Sequence, residues 1–407
     1  MSLFQDIYDY IKSGEHRAEN LGLEIEHFVI DENGVPIGFD EVTSLIEQVG
    51  RSLGAEMIYI DNYPVGYQVK EYAISLEPSC QFEISISPYS ELSDIERIYR
   101  EFLELWESLL SKRGYHFVTK GNLPAVELGE IRPDDIPLSS KKRYKYMDAY
   151  FKDSGTYGKY MMRASASTQV SVDYESESDL VRKLRVLQKI APILMIMMEN
   201  KTEETTTLPE APDKPHLLRI QEWDDLDPDR TGFFPRSLEN GFGYRQIAET
   251  VYETPLILLS DNGETTYVGH KSAKDLVAEG AITENEPDET RRKKLVEHVF
   301  SMGFFHFRIK KFIEIRIADS VPIEKALGYA GLIKGIVYSE QNLERLEKEL
   351  QDIDTLGKIQ EAVVKLETYG HDAVIYHDET AAQWADRLKA LAGEHLPEHE
   401  KAYLAYV

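Results

Sequence analysis

The chain has 407 residues, and 46 Lys and Arg against 72 Asp and Glu leave a formal charge of −26 at pH 7. A molecule this acidic repels polyanions, which excludes nucleic-acid binding through a basic face. Hydrophobic residues make up 42% and aromatic residues 10%, a globular composition that excludes gross disorder and leaves ample chain for a sizeable core.

Residues 1–12 mix apolar and charged positions like a helix and lack the basic head and apolar centre of a signal peptide. In Gly22-Leu-Glu-Ile-Glu-His-Phe-Val-Ile30 the side chains of a strand alternate between faces, so Leu23, Ile25 and Val29 point one way and Glu24 and Glu26 the other. His27 stands on the face away from the carboxylates, which suits a packed histidine better than a ligand. Residues 74–86 read as one strand in which Glu77, Ser79, Gln81 and Glu83 share a face opposite Leu76, Phe82 and Ile84. Cys80, the one cysteine, falls by parity on the apolar side and has no cationic or His neighbour to activate it. A lone cysteine forms no internal disulfide, so a secreted scaffold, a zinc cluster and a redox pair are disfavoured and a cytoplasmic setting is expected.

Apolar residues at three- and four-residue spacing predict a helix over 89–113. Lys141-Lys142-Arg143-Tyr144-Lys145-Tyr146-Met147 is a dense basic island in an acidic chain, either a solvated helix start or the partner for the phosphates of a bound nucleotide. Residues 164–174 form another charged strand, with Gln169, Ser171 and Asp173 opposite Val170 and Val172, and a helix is predicted over 178–198. The longest apolar run, 190–198, contains Pro192 and is far short of the roughly 20 residues a membrane span needs.

Residues 200–229, with four prolines, predict a long loop, a length at which loops are usually functional or mobile. Around Asp227-Pro228-Asp229, a turn sequence, Arg219 and Arg230 offer further anion contacts, or the segment is a structural loop. Gly241-Phe242-Gly243 lacks the third glycine of a dinucleotide fingerprint and reads as a turn, and no Walker-type phosphate loop occurs. A helix is predicted over 289–301. Residues 306–317 then carry Arg308, Lys310, Phe312, Glu314 and Arg316 on one face, opposite Phe307, Ile309, Ile313 and Ile315. Helices follow over 322–337 and 340–366. His395 and His399 have helical spacing, but Pro397 between them breaks such a helix, and both read as surface.

No repeat or flexible linker divides the chain, so 1–407 is expected to be a single domain; the irregular order of strands and helices favours an α+β fold with an antiparallel sheet. A one-sided sheet can carry polar residues simply because that face is wet. These strands, however, repeat Glu and Gln, and neighbouring like charges repel unless something positive sits between them. Carboxylates converging with Gln carbonyls suit a hard divalent cation, Mg²⁺ first, while the cations of the last strand would meet anionic substrate groups and Arg316 is shaped for bidentate carboxylate binding.

Six segments in this order resemble the glutamate–cysteine ligase family, in its plant and proteobacterial branch, within the glutamine synthetase-like carboxylate–amine ligases. They are Gly22-Leu-Glu-Ile-Glu; Leu76-Glu-Pro-Ser-Cys-Gln-Phe-Glu-Ile-Ser85; Arg143-Tyr144 with Met147; Thr168-Gln-Val-Ser-Val-Asp-Tyr174; Asp227-Pro-Asp-Arg-Thr-Gly232; and Arg308-Ile-Lys-Lys-Phe-Ile-Glu-Ile-Arg-Ile-Ala-Asp319. The resemblance runs from about residue 20 to 340. It implies a curved, mainly antiparallel sheet funnel flanked by helices. It also implies ATP-dependent joining of the glutamate γ-carboxylate to the amine of L-cysteine through a γ-glutamyl phosphate, the first step of glutathione biosynthesis. Alternatives are a related ligase using another amine or amino acid, and a non-catalytic ATP- or amino-acid-binding homologue. Carried over motif by motif, Glu24, Glu26, Glu77, Glu83, Gln169 and Glu314 would hold Mg²⁺, or Mn²⁺ in its place, and Arg316 with Gln81 would hold L-glutamate. Lys142, Arg143, Lys310 and Arg230 would face ATP, and Glu314, Arg316 and Arg230 would be catalytic. Ser79-Cys80 and Ser171 depart from the family's usual Gly-Gly and Asn. The expected partners are therefore small molecules, with no nucleic acid and no membrane, and oligomeric state is left open.

Overall fold

The computed structural model describes residues 2–79, 81–261 and 264–407; the expectation for the Cys80 side chain falls outside the described residues. Among these residues nine strands form one sheet: β1 (Leu21–Asp31), β2 (Glu56–Ile60), β3 (Tyr63–Gln68), β4 (Tyr72–Leu76), β5 (Phe82–Tyr89), β6 (Tyr115–Val118), β7 (Ser167–Val172), β10 (Phe307–Ile309) and β11 (Ile313–Asp319). A separate hairpin joins β8 (Pro255–Asp261) to β9 (Glu264–Ser272). The order is β10-β11-β7-β1-β5-β4-β3-β2, with β6 beside the far end of β1, and the pairings are antiparallel. The expected α+β architecture with an antiparallel sheet is what the chain adopts.

Period-two alternation builds this sheet. Leu23, Ile25, Ile74, Phe82, Ile84, Val170, Ile313 and Ile315 are fully buried on one face. Helices Leu92–Ser111, Glu177–Met197 and Ile323–Val337 pack on that side. Phe82 meets Trp106 edge-on at 4.5 Å between ring centroids and stacks near Phe102 at 6.1 Å. Each such buried side chain contributes about 1.5–3 kcal/mol of transfer free energy. His27 lies in this core as expected, with Nδ1 at 3.1 Å from the Phe82 carbonyl and Nε2 at 2.7 Å from the Tyr99 hydroxyl, and burial pushes its pKa down to about 4.

Several predicted boundaries move. Residues 74–86 and 306–317 are tight hairpins rather than single strands, β4 turning into β5 and β10 into β11. The expected helix over 340–366 is two, Glu340–Glu349 and Leu356–Tyr369, because the chain turns to bury Leu350 and Ile353 and Thr355 caps the second. The long loop after residue 199 is a pinned structure. The Lys201 ammonium donates to the carbonyls of Glu204, Thr206 and Pro215, and the Glu127 carboxylate accepts from the Thr202 amide at 2.9 Å and the Thr206 hydroxyl at 2.6 Å. Within it lies a short helix, Leu218–Asp224. Among the described residues no helix is long and apolar enough to cross a membrane.

Candidate active site

The polar face of the sheet forms the floor of a cavity of about 970 Å³. Helices Lys142–Ser154 and Glu289–Phe300 and the β8–β9 hairpin contribute its walls, and the β2–β3 turn at Ile60 and Asp61 reaches its rim. β1 places Glu24 and Glu26, the β4–β5 hairpin places Glu77, Gln81 and Glu83, β7 places Gln169, and the β10–β11 hairpin places Arg308, Lys310 and Arg316. The register explains the convergence: Glu26 is directly opposite Glu83, Glu24 is opposite Gln169, and Arg308 is opposite Glu314. Directly opposed residues share a face, so each hairpin keeps its charges on one side.

Glu24, Glu26, Glu77 and Glu83 line this cavity together. Burial, and then the Glu77 charge, raise Glu26 to about 7. Burial and the neighbouring Glu24 and Glu77 push Glu83 well above the ordinary carboxylate range, and burial with the Glu314 charge raises Glu24. Such values describe acids short of counter-charge. Four carboxylates lining one polar cavity offer the oxygen donors that a hard divalent cation takes and that would hold these groups ionised, although among the described residues no three of them bring carboxylate oxygens within 4.8 Å of one another.

The two other expected metal ligands are placed differently. Glu314 is fully buried, with Oε2 2.5 Å from Arg308 Nε and 3.1 Å from Arg316 Nη1, and Oε1 3.0 Å from both Lys310 Nζ and Arg308 Nη2. Burial opposes its charge, but Arg308, Lys310 and Arg316 overcome that and hold the carboxyl well below its usual range. Gln169 accepts from Arg316 Nη1 at 2.6 Å and donates to Glu26 Oε1 at 3.2 Å, so it links the cations to the carboxylates.

Arg143 and Lys310 line the cavity, Arg143 donating to the hydroxyl and carbonyl of Ser301. Gln81 borders it but is braced at both ends, its Oε1 accepting from the Ser79 amide at 2.8 Å and its Nε2 donating to the Ser165 carbonyl at 3.1 Å. Lys142 is corrected: its side chain is exposed away from the cavity while its amide donates to Asp61, and the ammonium in the wall belongs to Lys141, which donates to the Leu76 carbonyl. Arg230 is corrected too. It is 0% exposed and outside the cavity, its Nε 2.7 Å from Asp227 Oδ2 and its Nη1 donating to the Pro255 and Met302 carbonyls. It therefore ties the 227–232 turn to two neighbouring segments, and a nucleotide cannot reach it. Arg219, expected as an anion contact, is also buried and pairs with Asp319.

Motif reasoning missed the wall opposite the sheet, where Arg291, Lys294 and His298 of the Glu289–Phe300 helix face the cavity. Arg291 forks onto Asp261 of β8 at 2.9 and 2.5 Å, tying this helix to the hairpin. The available signal was the run Arg291-Arg-Lys-Lys294, a second basic island in an acidic chain.

The chain is 26% identical over 346 residues to the chloroplastic glutamate–cysteine ligase of Brassica juncea, an alignment covering 84% of this chain and 65% of that protein. It is 25% identical over 356 residues to the chloroplastic glutamate–cysteine ligase of Arabidopsis thaliana, covering 84% of this chain and 64% of that one. The chain thus spans just under two thirds of the length of these relatives. A solved structure of glutamate–cysteine ligase from Francisella tularensis in complex with AMP aligns over 96% of this chain and 81% of that chain, at 12% identity and a TM-score of 0.45. The profile of glutamate–cysteine ligase family 2 matches residues 20–198 and 215–404, nearly the whole chain, and the protein belongs to that family.

Proposed function

We propose that this protein joins the side-chain carboxylate of L-glutamate to the amine of L-cysteine at the expense of ATP, giving γ-glutamylcysteine. The observation that carries this reading is one cavity lined by four carboxylates, of which Glu24, Glu26 and Glu83 are short of counter-charge, together with Arg308, Lys310 and Arg316 on the same sheet face. Acids and cations held apart in this way suit a reaction between a polyphosphate and a carboxylate, and the chain's family membership points to the same class.

In the proposed sequence an oxygen of the γ-carboxylate attacks the γ-phosphorus of ATP and ADP leaves. The cysteine nitrogen, having given up one proton, then attacks the acyl carbon, and inorganic phosphate leaves as the amide forms. Arg316 would grip the acid, with Gln169 and Glu314 fixing its guanidinium from two sides. Arg308, Lys310 and Arg143 would face phosphate oxygens, with Lys294 and Arg291 on the far wall. A divalent cation bound by Glu24, Glu26, Glu77 and Glu83 would supply charge neutralisation for the phosphates. Glu314 acts here as the anchor of three cations rather than as a ligand, so the protein contributes by placement and preset charge and forms no covalent intermediate of its own.

Phosphate release measured with ATP, Mg²⁺ and L-glutamate, with and without a panel of amines and with mass detection of product, tests the proposal. Cysteine-dependent release with the mass of γ-glutamylcysteine supports it. Release with a different amine assigns a related ligase, and ATP binding without release for any acid and amine refutes catalysis.

A further inference from the structure

Arg316 sits on an irregular part of its strand. From Ile315 to Ala318, β11 advances three residues while its partner β7 advances two, from Val170 to Thr168, so one residue bulges out at Arg316–Ile317. On its other side the β10 ladder ends at the Phe307–Ile315 pair, with one further bond from the Arg316 amide to the His306 carbonyl at 3.0 Å. Bulges re-aim side chains and leave backbone groups without ladder partners, so something must hold this one.

Arg219 fills that role. Its guanidinium, on a residue 4% exposed, donates from Nη2 to the carbonyls of Arg316 at 2.9 Å and Ala318 at 2.7 Å, and its Nε lies 3.1 Å from Asp319 Oδ1. Asp319 is anchored in turn: its Oδ2 accepts from the Asn200 amide at 2.8 Å, and Gly121 approaches so closely that a Cβ there would lie 2.4 Å from the carboxylate. One residue further on, Ser320 donates to the Glu26 carbonyl at 2.5 Å, which ties the end of the bulge to a strand of the carboxylate floor.

We infer that Arg219 is a positioning residue for the acid substrate: by holding the bulged backbone of β11 from behind, it sets the direction in which Arg316 enters the cavity. The inference rests on the proposed role of Arg316 as the grip on glutamate. Arg219 touches the Arg316 backbone directly, while the opposite end of Arg316 donates to Gln169, so a loosened bulge moves the guanidinium relative to Gln169 and Glu26. Lys310 and Arg143, on the turn and on another element, keep their own supports.

The test is Arg219→Lys, which keeps a positive charge but has one nitrogen where Arg219 uses two, Nε toward Asp319 and Nη2 toward both carbonyls. Apparent KM for L-glutamate should rise about tenfold, the worth of one lost charge-assisted hydrogen bond, while KM for ATP stays within about twofold. In an Arg316→Lys background the same change should add less than about twofold, since residues that act as one unit are not additive. Equal rises in both KM values, a fall in kcat alone, or full additivity would overturn the inference. Glutamate binding followed by calorimetry with a non-hydrolysable ATP analogue reads the same ratio without turnover. An enzyme that binds glutamate but releases no phosphate would sink the ligase reading and leave this test standing, whereas no glutamate binding by the wild type overturns both. If Arg219→Lys does not fold, Asp319→Asn, which weakens the anchor of Arg219, should raise the glutamate KM about threefold, and an unchanged value overturns the inference.

Discussion

Glu222 offers a quantitative check on the electrostatics of the site's supporting layer. It lies on the Leu218–Asp224 helix, 0% exposed, with Oε1 accepting from Asn122 Nδ2 at 2.6 Å and Oε2 buried without a hydrogen-bond partner. Burial, only partly offset by Asn122 and Arg219, pushes its pKa from 4.5 up to about 8. The folded protein therefore keeps a proton that the unfolded chain releases, and between those two values stability falls as pH rises. At about 1.4 kcal/mol per unit, the cost of holding this carboxyl is below about 1 kcal/mol at pH 5, about 3 kcal/mol at pH 7 and about 5 kcal/mol above pH 8. Glu222→Gln keeps the carbonyl that meets Asn122 and removes the titration. The variant should be more stable than wild type by about 2–3 kcal/mol at pH 7.5, after a discount for its unpartnered amide hydrogens, and nearly equal at pH 5. Urea denaturation at the two pH values reads the difference. Equal effects at both, or a destabilised variant at pH 7.5, would refute the assignment of a neutral buried carboxyl.

Further outcomes follow from the same geometry. Mg²⁺ should raise the wild-type melting temperature, and Glu83→Gln, which relieves repulsion from Glu24 and Glu77, should raise it without Mg²⁺ while erasing both the Mg²⁺ response and phosphate release, as thermal denaturation and a phosphate assay can check. His27, neutral in the fold with a pKa of about 4, should cost stability as pH falls from about 6.5 to 4, by about 3 kcal/mol in full; His27→Gln should flatten that part of the stability profile. Arg230→Met should destabilise by about 3–5 kcal/mol by leaving buried Asp227 without its counter-charge, with KM for ATP unchanged in the folded fraction, measured by denaturation and steady-state kinetics.

The charged face of the sheet was legible in the sequence even where the strands were misjudged. Reading 74–86 and 306–317 as single strands gave the right residues because cross-strand partners in a hairpin, such as Ser75 with Glu83 and Arg308 with Glu314, share a face. Residue type alone could not separate cations that face the cavity from cations that build its frame. Lys310 and Arg230 both sit in motifs that pair a cation with a nearby acid, yet Arg230 folds back onto Asp227 three residues away, a contact that depends on the turn. Lys141 and Lys142 show the same limit at a helix start. Lys141 is the capping residue and turns inward, while Lys142 begins the helix and points out, a difference set by about one residue of helical phase. The Glu289–Phe300 helix announced its fold by its apolar spacing, but its basic face is indistinguishable in sequence from a solvated one until the β8–β9 hairpin closes against it through Arg291 and Asp261.

In the proposed reaction an acid is activated by phosphorylation in this cavity before an amine attacks it. L-glutamate carrying ¹⁸O in its γ-carboxylate, turned over with ATP, Mg²⁺ and L-cysteine, tests it by mass analysis of the released phosphate. One ¹⁸O atom should appear in the phosphate for every γ-glutamylcysteine formed, because the oxygen that attacked the γ-phosphorus leaves with it. Phosphate free of ¹⁸O alongside amide product would contradict the claim.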